Sequence, residues 1–262
     1  MKDIILAKLH QLEEKENIRI ILAVESGSRA WGFESPDSDY DVRFIYVRRK
    51  EDYLRLDEPR DVIELPIEGD LDINGWDLKK TLKLMYKANP TLNEWLKSPI
   101  VYMENEDADT LRELGFDYFY VKHALHHYIS MAESTFRDNL TTDTVKLKKY
   151  FYALRPVLAC RWILDRRVPP PMLFTDLVEA ELPEELRPEV QRLLDIKINS
   201  PEVKMIPRVD IINDYLEKSI AGIKVLASEY PEEEHGGWET LNWFFEEVAE
   251  GRHVKYKDSR YE

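Results

Sequence analysis

The first part of the chain consists of short apolar runs separated by polar turns. Residues 18–24 are apolar and β-branched over too short a length for a helix, which predicts a buried strand. The same reasoning predicts four further strands, at residues 40–47, 61–66, 71–76 and 100–103. Residues 2–16 show apolar positions at helical spacing and predict an amphipathic helix. This part is therefore predicted to be α/β (α+β), built on a small mixed β-sheet.

Helical periodicity replaces this pattern from residue 110 onward. Helices are predicted at residues 119–137, 142–166, 175–181, 183–199, 209–229 and 238–250. We therefore expect two domains, an α/β domain over residues 1–106 and an all-helical domain over residues 107–262.

Two aspartates stand at the start of the second predicted strand. Asp39 and Asp41 flank Tyr40, and the two-residue repeat of a strand places both carboxylates on one face. Neighbouring carboxylates repel each other unless a cation lies between them. Hard oxygen ligands of this kind suit Mg²⁺, or Mn²⁺ in its place. The pattern therefore predicts a divalent metal site.

A glycine and a serine end the first predicted strand and precede this aspartate pair. Gly27 permits a sharp turn and a close approach of the backbone to a ligand. The amides of a short helix beginning at Ser28 would point at an anion such as a phosphate, and Arg29 adds a positive charge beside it. We expect these three residues to bind phosphate.

Two further acids lie in or directly after the strand predicted at residues 71–76. Alternation places Asp72, Asn74 and Trp76 on one face and Ile73 on the other, so Asp72 is the favoured candidate for a site residue. Asp77 is the rival, but it immediately precedes a predicted helix, where an N-cap is expected.

Composition and charge narrow the class of protein. The chain has 262 residues, 44% of them hydrophobic, which is enough for a large buried core, and its single cysteine excludes a disulfide framework. A formal charge of −14 argues against binding nucleic acid through bulk electrostatics. No secretory signal and no apolar run near the roughly 18 residues of a membrane helix is found, so we expect a cytoplasmic protein without a membrane contact.

One local stretch departs from this acidity. Residues 146–167 hold seven Lys and Arg side chains against one acid. Lys149, Tyr150 and Arg155 lie in its basic, aromatic-rich part, which suits triphosphate charge and base stacking. The competing interpretation is that the aromatic residues form a helix core and the cations are solvated.

The aspartate region resembles a known family. Gly27-Ser28 followed by Asp39-Tyr40-Asp41 between hydrophobic strands looks like the signature of the DNA polymerase beta nucleotidyltransferase superfamily. The fuller set of strings resembles its predicted-nucleotidyltransferase subgroup, some members of which are associated with RNA ligases and RNA repair. These strings are Gly-Ser-Arg-Ala-Trp-Gly-Phe at residues 27–33, Ser-Asp-Tyr-Asp-Val at 38–42, Gly-Trp-Asp at 75–77 and Lys-Tyr at 149–150.

The resemblance implies a reaction and a division of roles. A nucleoside triphosphate would be the donor, and Asp39, Asp41 and Asp72 would hold the divalent metal. Gly27, Ser28 and Arg29 would bind the β- and γ-phosphates. Lys149 and Tyr150, with Arg155, would complete the nucleotide cleft from the helical domain.

The acceptor is left open by the sequence. An RNA end is favoured by the resemblance to the subgroup, while a small molecule or a protein hydroxyl is compatible with the same motif. A non-catalytic, antitoxin-like module with the same fold is a further alternative.

Overall fold

The computed structural model describes residues 1–253 and Lys255. Contacts within the chain define two compact units. The first comprises Met1–Gly27, Asp39–Tyr118 and the described residues from His235 onward, and the second comprises Ser28–Ser38 and Phe119–Glu234.

A five-stranded mixed sheet forms the centre of the first unit. Its strands are β1 (Arg19–Glu25), β2 (Tyr40–Val47), β3 (Val62–Glu64), β4 (Leu71–Asp77) and β5 (Val101–Glu104). They are ordered β3-β4-β2-β1-β5, and β2 pairs parallel with β4 while the other neighbours pair antiparallel. The predicted mixed sheet is confirmed, with β2 at its predicted bounds.

Both faces of this sheet are buried. The helices of the first unit are α1 (Lys2–Glu16), α3 (Lys50–Tyr53), α4 (Leu78–Tyr86), α5 (Pro90–Leu96), α6 (Asp107–Asp117) and α12 (Glu239–Ala249), and α2 (Gly27–Trp31) begins directly after β1. Ile5 and Leu9 of α1 pack with Phe44 of β2 on one face. Leu82 of α4 and Phe244 of α12 belong to the core on the other face. Burial on both sides explains why β1 and β2 are almost continuously apolar.

The second unit is mainly helical. It contains α7 (Val121–Asn139), α8 (Lys148–Arg166), α9 (Phe174–Glu181), α10 (Arg187–Ile198), α11 (Asp210–Glu229) and the strands β6 (Thr144–Lys146) and β7 (Met205–Pro207). The segment Ser28–Ser38 belongs to this unit, where Phe33 packs against Phe151 at 5.3 Å and Phe174 at 5.6 Å between ring centroids. In the described part of the chain, no helix is both long enough and apolar enough to span a membrane.

Two expectations about this part of the chain need correction. The second half is not all-helical, because β6 and β7 pair antiparallel through Val145 and Ile206. The helix predicted from residue 142 therefore begins at Lys148. Strands of three residues are too short to show a periodicity of their own, so the alternation was not visible in the sequence.

The contact pattern also divides the chain elsewhere than at residue 106. Leu111 and Leu114 of α6 and Leu241 of α12 belong to the core of the first unit. The contacts therefore extend that unit to Tyr118 and return to it at His235. A functional division at residue 106 stays a prediction.

Asp77 ends β4 and caps α4, as the sequence predicts. Its Oδ1 accepts a hydrogen bond from the Lys79 backbone N–H at 2.7 Å, and the Tyr53 hydroxyl donates to Oδ2 at 3.0 Å. Asp77 is 3% exposed, and burial raises the pKa of its carboxyl to about 6. Asp72 lies five positions earlier on the same strand, about 16 Å away at strand spacing.

We expect Asp77 to make stability depend on pH. Because its folded-state pKa lies above its unfolded value of 3.8, the folded protein takes up a proton as the pH falls through about 6. The stabilisation of the fold that comes from this proton is therefore complete at pH values below the unfolded pKa of 3.8, and it is lost as the pH rises through about 6. Between pH 7.5 and pH 5, the free energy of unfolding should rise by about 1 kcal/mol relative to Asp77→Asn, which keeps an oxygen for the cap. Urea unfolding of both proteins at the two pH values measures this difference, and parallel pH profiles would contradict it.

Candidate active site

The parallel pairing of β2 with β4 brings two of the predicted carboxylates together. Asp41 and Asp72 are direct partners in this register, each at the second residue of its strand. Their side chains are 31% and 34% exposed, so both are accessible from solvent. Burial alternates along β4 as predicted, with Asp72 on the more exposed face and Ile73 in the core.

A guanidinium group lies between these carboxylates. Nη2 of Arg43 donates to Asp41 Oδ1 at 2.9 Å and to Asp72 Oδ2 at 2.7 Å. Its Nη1 donates to the backbone oxygens of Val42 at 3.1 Å and Asp72 at 3.2 Å. The positive charge offsets the repulsion that two carboxylates in register would otherwise suffer. Arg43 was not among the residues predicted for this site, although it lies two residues after Asp41 and hence on the same strand face.

Gly27 packs against Asp41 from the end of β1. The backbone N–H of Ser26 donates to the Asp41 carbonyl oxygen at 2.8 Å, directly beyond the last β1–β2 partners Glu25 and Val42. Gly27 has a φ of +62°, and a Cβ added to it would lie 2.2 Å from Asp41 Oδ2. A glycine is therefore required here both by the backbone conformation and by the close approach of the carboxylate.

A buried glutamate supports the same aspartate from behind. Glu25, the last residue of β1, is fully buried, and its Oε1 accepts a hydrogen bond from the Asp41 backbone N–H at 2.7 Å. The hydroxyl of Tyr102 on β5 donates to its Oε2. Glu25 therefore positions Asp41 through its backbone. A sequence signal existed, since Glu25 is an acid that directly continues an apolar strand run.

Asp39 lies two residues before Asp41 and directly precedes β2, which begins at Tyr40. Among the described residues, no three His, Cys, Asp or Glu side chains are gathered so that they could hold a metal ion. The three-carboxylate set of Asp39, Asp41 and Asp72 therefore stays a prediction, and the pair Asp41–Asp72 is the part of it that the fold brings together.

Ser28 and Arg29, which were predicted to bind phosphate, lie in the segment assigned to the second unit. Ser28 is buried, and its backbone oxygen accepts a hydrogen bond from the Phe33 N–H at 3.1 Å. Nη2 of Arg29 donates to the backbone oxygen of Ser38 at 2.7 Å. Arg29 thus stabilises the loop that precedes Asp39, and a phosphate contact of either residue stays a prediction.

Tyr150 and Arg155 are core residues of the second unit. Tyr150 is 0% exposed, and its hydroxyl donates to Asn213 Oδ1 and accepts from the Val209 backbone N–H, both at 2.7 Å. Arg155 is 2% exposed, with its guanidinium carbon 4.6 Å from the ring centroid of Trp31. The structure therefore does not support base stacking by Tyr150 or a phosphate contact by Arg155, because both side chains are enclosed by the helical core.

Lys149 differs from these two residues. It is partly exposed, and its Nζ lies 5.7 Å from the ring centroid of Tyr152. Other cations of the basic stretch have acidic partners: Lys148 pairs with Glu202 at 3.1 Å, and Arg166 pairs with Glu181. These ion pairs account for part of the positive charge of residues 146–167, and a role of Lys149 in nucleotide binding stays a prediction.

The chemistry of the Asp41–Asp72 pair fits a hard divalent cation. Two carboxylates meet on adjoining strands, and the backbone of Gly27 lies against one of them. The Arg43 guanidinium contacts one oxygen of each carboxylate. The carboxylate pair therefore has the chemistry of a metal site, and the Arg43 guanidinium is the positive group that the chain itself supplies there.

We expect Gly27→Ala to displace Asp41. Gly69 is a matched control, because it has a φ of +61° but a Cβ added there would have nothing within 4 Å. In both alanine variants the free energy of unfolding should fall by roughly 1–2 kcal/mol, because alanine is strained in this backbone conformation. Only Gly27→Ala should also weaken the binding of Mn²⁺, measured by calorimetry alongside thermal unfolding. Equal stability losses with equal Mn²⁺ affinities would show that Gly27 does not shape the site.

Comparisons with known proteins agree with the motif. A model of the RNA repair pathway DNA polymerase beta family matches residues 1–247. The uncharacterized protein YcgL of Bacillus subtilis (strain 168) is 46% identical over 244 residues, covering 92% of this chain and 94% of that protein. A solved nucleotidyltransferase-like protein from Exiguobacterium sibiricum aligns at 13% identity and a TM-score of 0.31, over 96% of this chain and 82% of that chain, a similarity too low to carry an argument. The family match nevertheless spans nearly the whole sequence and confirms the resemblance seen in the motifs. The chain is therefore a member of the RNA repair pathway DNA polymerase beta family.

Proposed function

We propose that this protein is a metal-dependent nucleotidyltransferase that transfers a nucleoside monophosphate from a nucleoside triphosphate to a hydroxyl group at an RNA end. The observation that carries the proposal is the pairing of Asp41 with Asp72 on parallel strands, directly against the turn at Gly27. Members of the polymerase beta superfamily generally use divalent metals, and the carboxylate pair has the chemistry for Mg²⁺ or Mn²⁺.

In this proposal the residues of the site have separate tasks. Asp41 and Asp72 hold the divalent ion, which supplies charge neutralisation at the reacting phosphate. Glu25 fixes Asp41 through its backbone N–H. Gly27, Ser28 and Arg29 receive the β- and γ-phosphates, as the motif predicts. Asp39 is the further carboxylate of the proposed set.

The reaction forms one bond and breaks one bond. The acceptor oxygen forms a bond to the α-phosphorus, and the bond from that phosphorus to the β-phosphate oxygen breaks, so that pyrophosphate leaves. The proton of the acceptor hydroxyl passes to a carboxylate, for which Asp72 is the proposed base, because it is the acid on the neighbouring strand that the family resemblance assigns to this role. Positioning and charge stabilisation carry most of such a phosphoryl transfer.

The choice of an RNA end rests on the family, whose description places it in RNA repair. The net charge of −14 requires any RNA contact to be local. A small-molecule or protein hydroxyl is the alternative acceptor, and the transfer assay distinguishes these cases. Purified protein is incubated with Mg²⁺ or Mn²⁺, each labelled nucleoside triphosphate in turn, and RNAs with defined ends, and the label is then traced.

We expect Asp41→Asn and Asp72→Asn each to abolish transfer while the protein stays folded. Loss of a metal-binding carboxylate should lower the rate about a thousandfold, because it removes several kcal/mol of charge stabilisation. Asp57→Asn is the matched control, since Asp57 is exposed in the same unit and pairs with Arg55 at 2.6 Å. The measurement is the initial rate of label transfer, with circular dichroism as the check on folding.

Three outcomes separate the alternatives. Label on RNA that is lost in both aspartate variants supports the proposal. Label on the protein itself or on a small molecule would identify that molecule, and not RNA, as the acceptor. A folded wild-type protein that transfers no label to any acceptor would contradict an enzymatic function and favour a non-catalytic, antitoxin-like module.

A further inference from the structure

The contacts of Arg43 are unusual for an arginine at a surface site. One nitrogen, Nη2, contacts both Asp41 Oδ1 and Asp72 Oδ2, and Nη1 is held by the backbone oxygens of Val42 and Asp72. The side chain is 19% exposed although it carries a full charge. The guanidinium is therefore held inside the carboxylate pair and does not extend into solvent.

A divalent ion and this guanidinium compete for the same carboxylate pair. Nη2 already engages one oxygen of each carboxylate. An ion bound to both aspartates would be a second positive centre close to the guanidinium, and the two would repel each other. Metal binding by both aspartates therefore favours a guanidinium that has left them.

A displaced guanidinium would remain beside the site, because its backbone lies on β2, two residues after Asp41, and pairs with β4. There it would need a new acidic partner. A planar guanidinium is well suited to bind two phosphate oxygens at once. The anion that the proposed reaction brings to this place is the triphosphate of the nucleotide.

We propose that Arg43 is the internal counter-ion of the metal-free Asp41–Asp72 pair, and that it exchanges the carboxylates for the triphosphate when metal and nucleotide bind. This inference rests on the proposed function and adds a coupling between metal binding and nucleotide binding. The ion alone must compete with Arg43, whereas the ion together with nucleotide gives Arg43 a replacement partner. Metal and nucleotide therefore bind cooperatively, and by linkage each raises the affinity for the other by the same factor.

The test measures Mn²⁺ binding by isothermal titration calorimetry, with and without a non-hydrolysable nucleoside triphosphate analogue. Arg43→Gln removes the charge and keeps a polar side chain of similar reach. Without nucleotide, its Mn²⁺ affinity should exceed that of the wild type by about ten- to hundredfold, the value of a charge-assisted contact. The further gain in Mn²⁺ affinity caused by the analogue should shrink by a similar factor.

Two further variants separate this role from a purely structural one. Arg43→Lys keeps a positive charge and should retain the weak Mn²⁺ binding of the wild type. Arg19→Gln removes an arginine of the same unit that pairs with Asp107 at 2.6 Å. It should lower the melting temperature without changing Mn²⁺ affinity. Arg43→Gln should also melt earlier than the wild type without metal, because two unbalanced carboxylates remain, and it should recover stability when Mn²⁺ is added.

The possible failures are distinguishable. If Mn²⁺ binds and Asp41→Asn abolishes its binding, but Arg43→Gln leaves the affinity and the cooperativity unchanged, the exchange is overturned and the proposed function stands. If Arg43→Gln binds Mn²⁺ more weakly than the wild type, Arg43 supports the ion and the exchange is likewise overturned. If Mn²⁺ binds to no protein of the series, including Arg43→Gln with analogue, both this inference and the proposed metal dependence fail.

Discussion

The parallel pairing of β2 with β4 is the constraint on which the candidate site depends. Parallel strands cannot be joined by a tight hairpin, so the chain between Val47 and Leu71 must cross over before the second strand begins. That crossover contains α3 and the edge strand β3. As a result, β2 and β4 begin at the same end of the sheet, with Asp41 beside Asp72.

This juxtaposition is costly for the fold, and the neighbouring residues offset the cost. Arg43 neutralises part of the carboxylate charge through one shared nitrogen. Glu25 holds the backbone of Asp41, and the turn at Gly27 leaves room for its side chain. These contacts hold the two carboxylates in place from both sides.

The helical unit uses several residues of the motif for packing. Phe33, from the segment between Gly27 and Asp39, contacts Phe151 and Phe174 in the core of that unit. In the same segment, Ser35 accepts a hydrogen bond from the buried Lys197 Nζ at 2.6 Å. Tyr150 and Arg155 serve the same interior. The family strings at residues 27–33 and 149–150 therefore include residues that are part of the hydrophobic core, and membership of a motif does not by itself make a residue a ligand-binding one.

Interactions between residues that are close in the sequence were sufficient to predict several features of this fold. The alternation at residues 71–76 predicted which side of β4 is buried, and the position of Asp77 before α4 predicted its N-cap, since both depend on neighbours within a few residues. The register that joins Asp41 to Asp72, the insertion of Arg43 between them and the support from Glu25 were decided by tertiary structure. These contacts depend on strands distant in the chain, and the same holds for β6 and β7 and for the burial of Tyr150. Periodicity reports the faces of an element, whereas the identity of the partner across each face follows from how the whole chain packs.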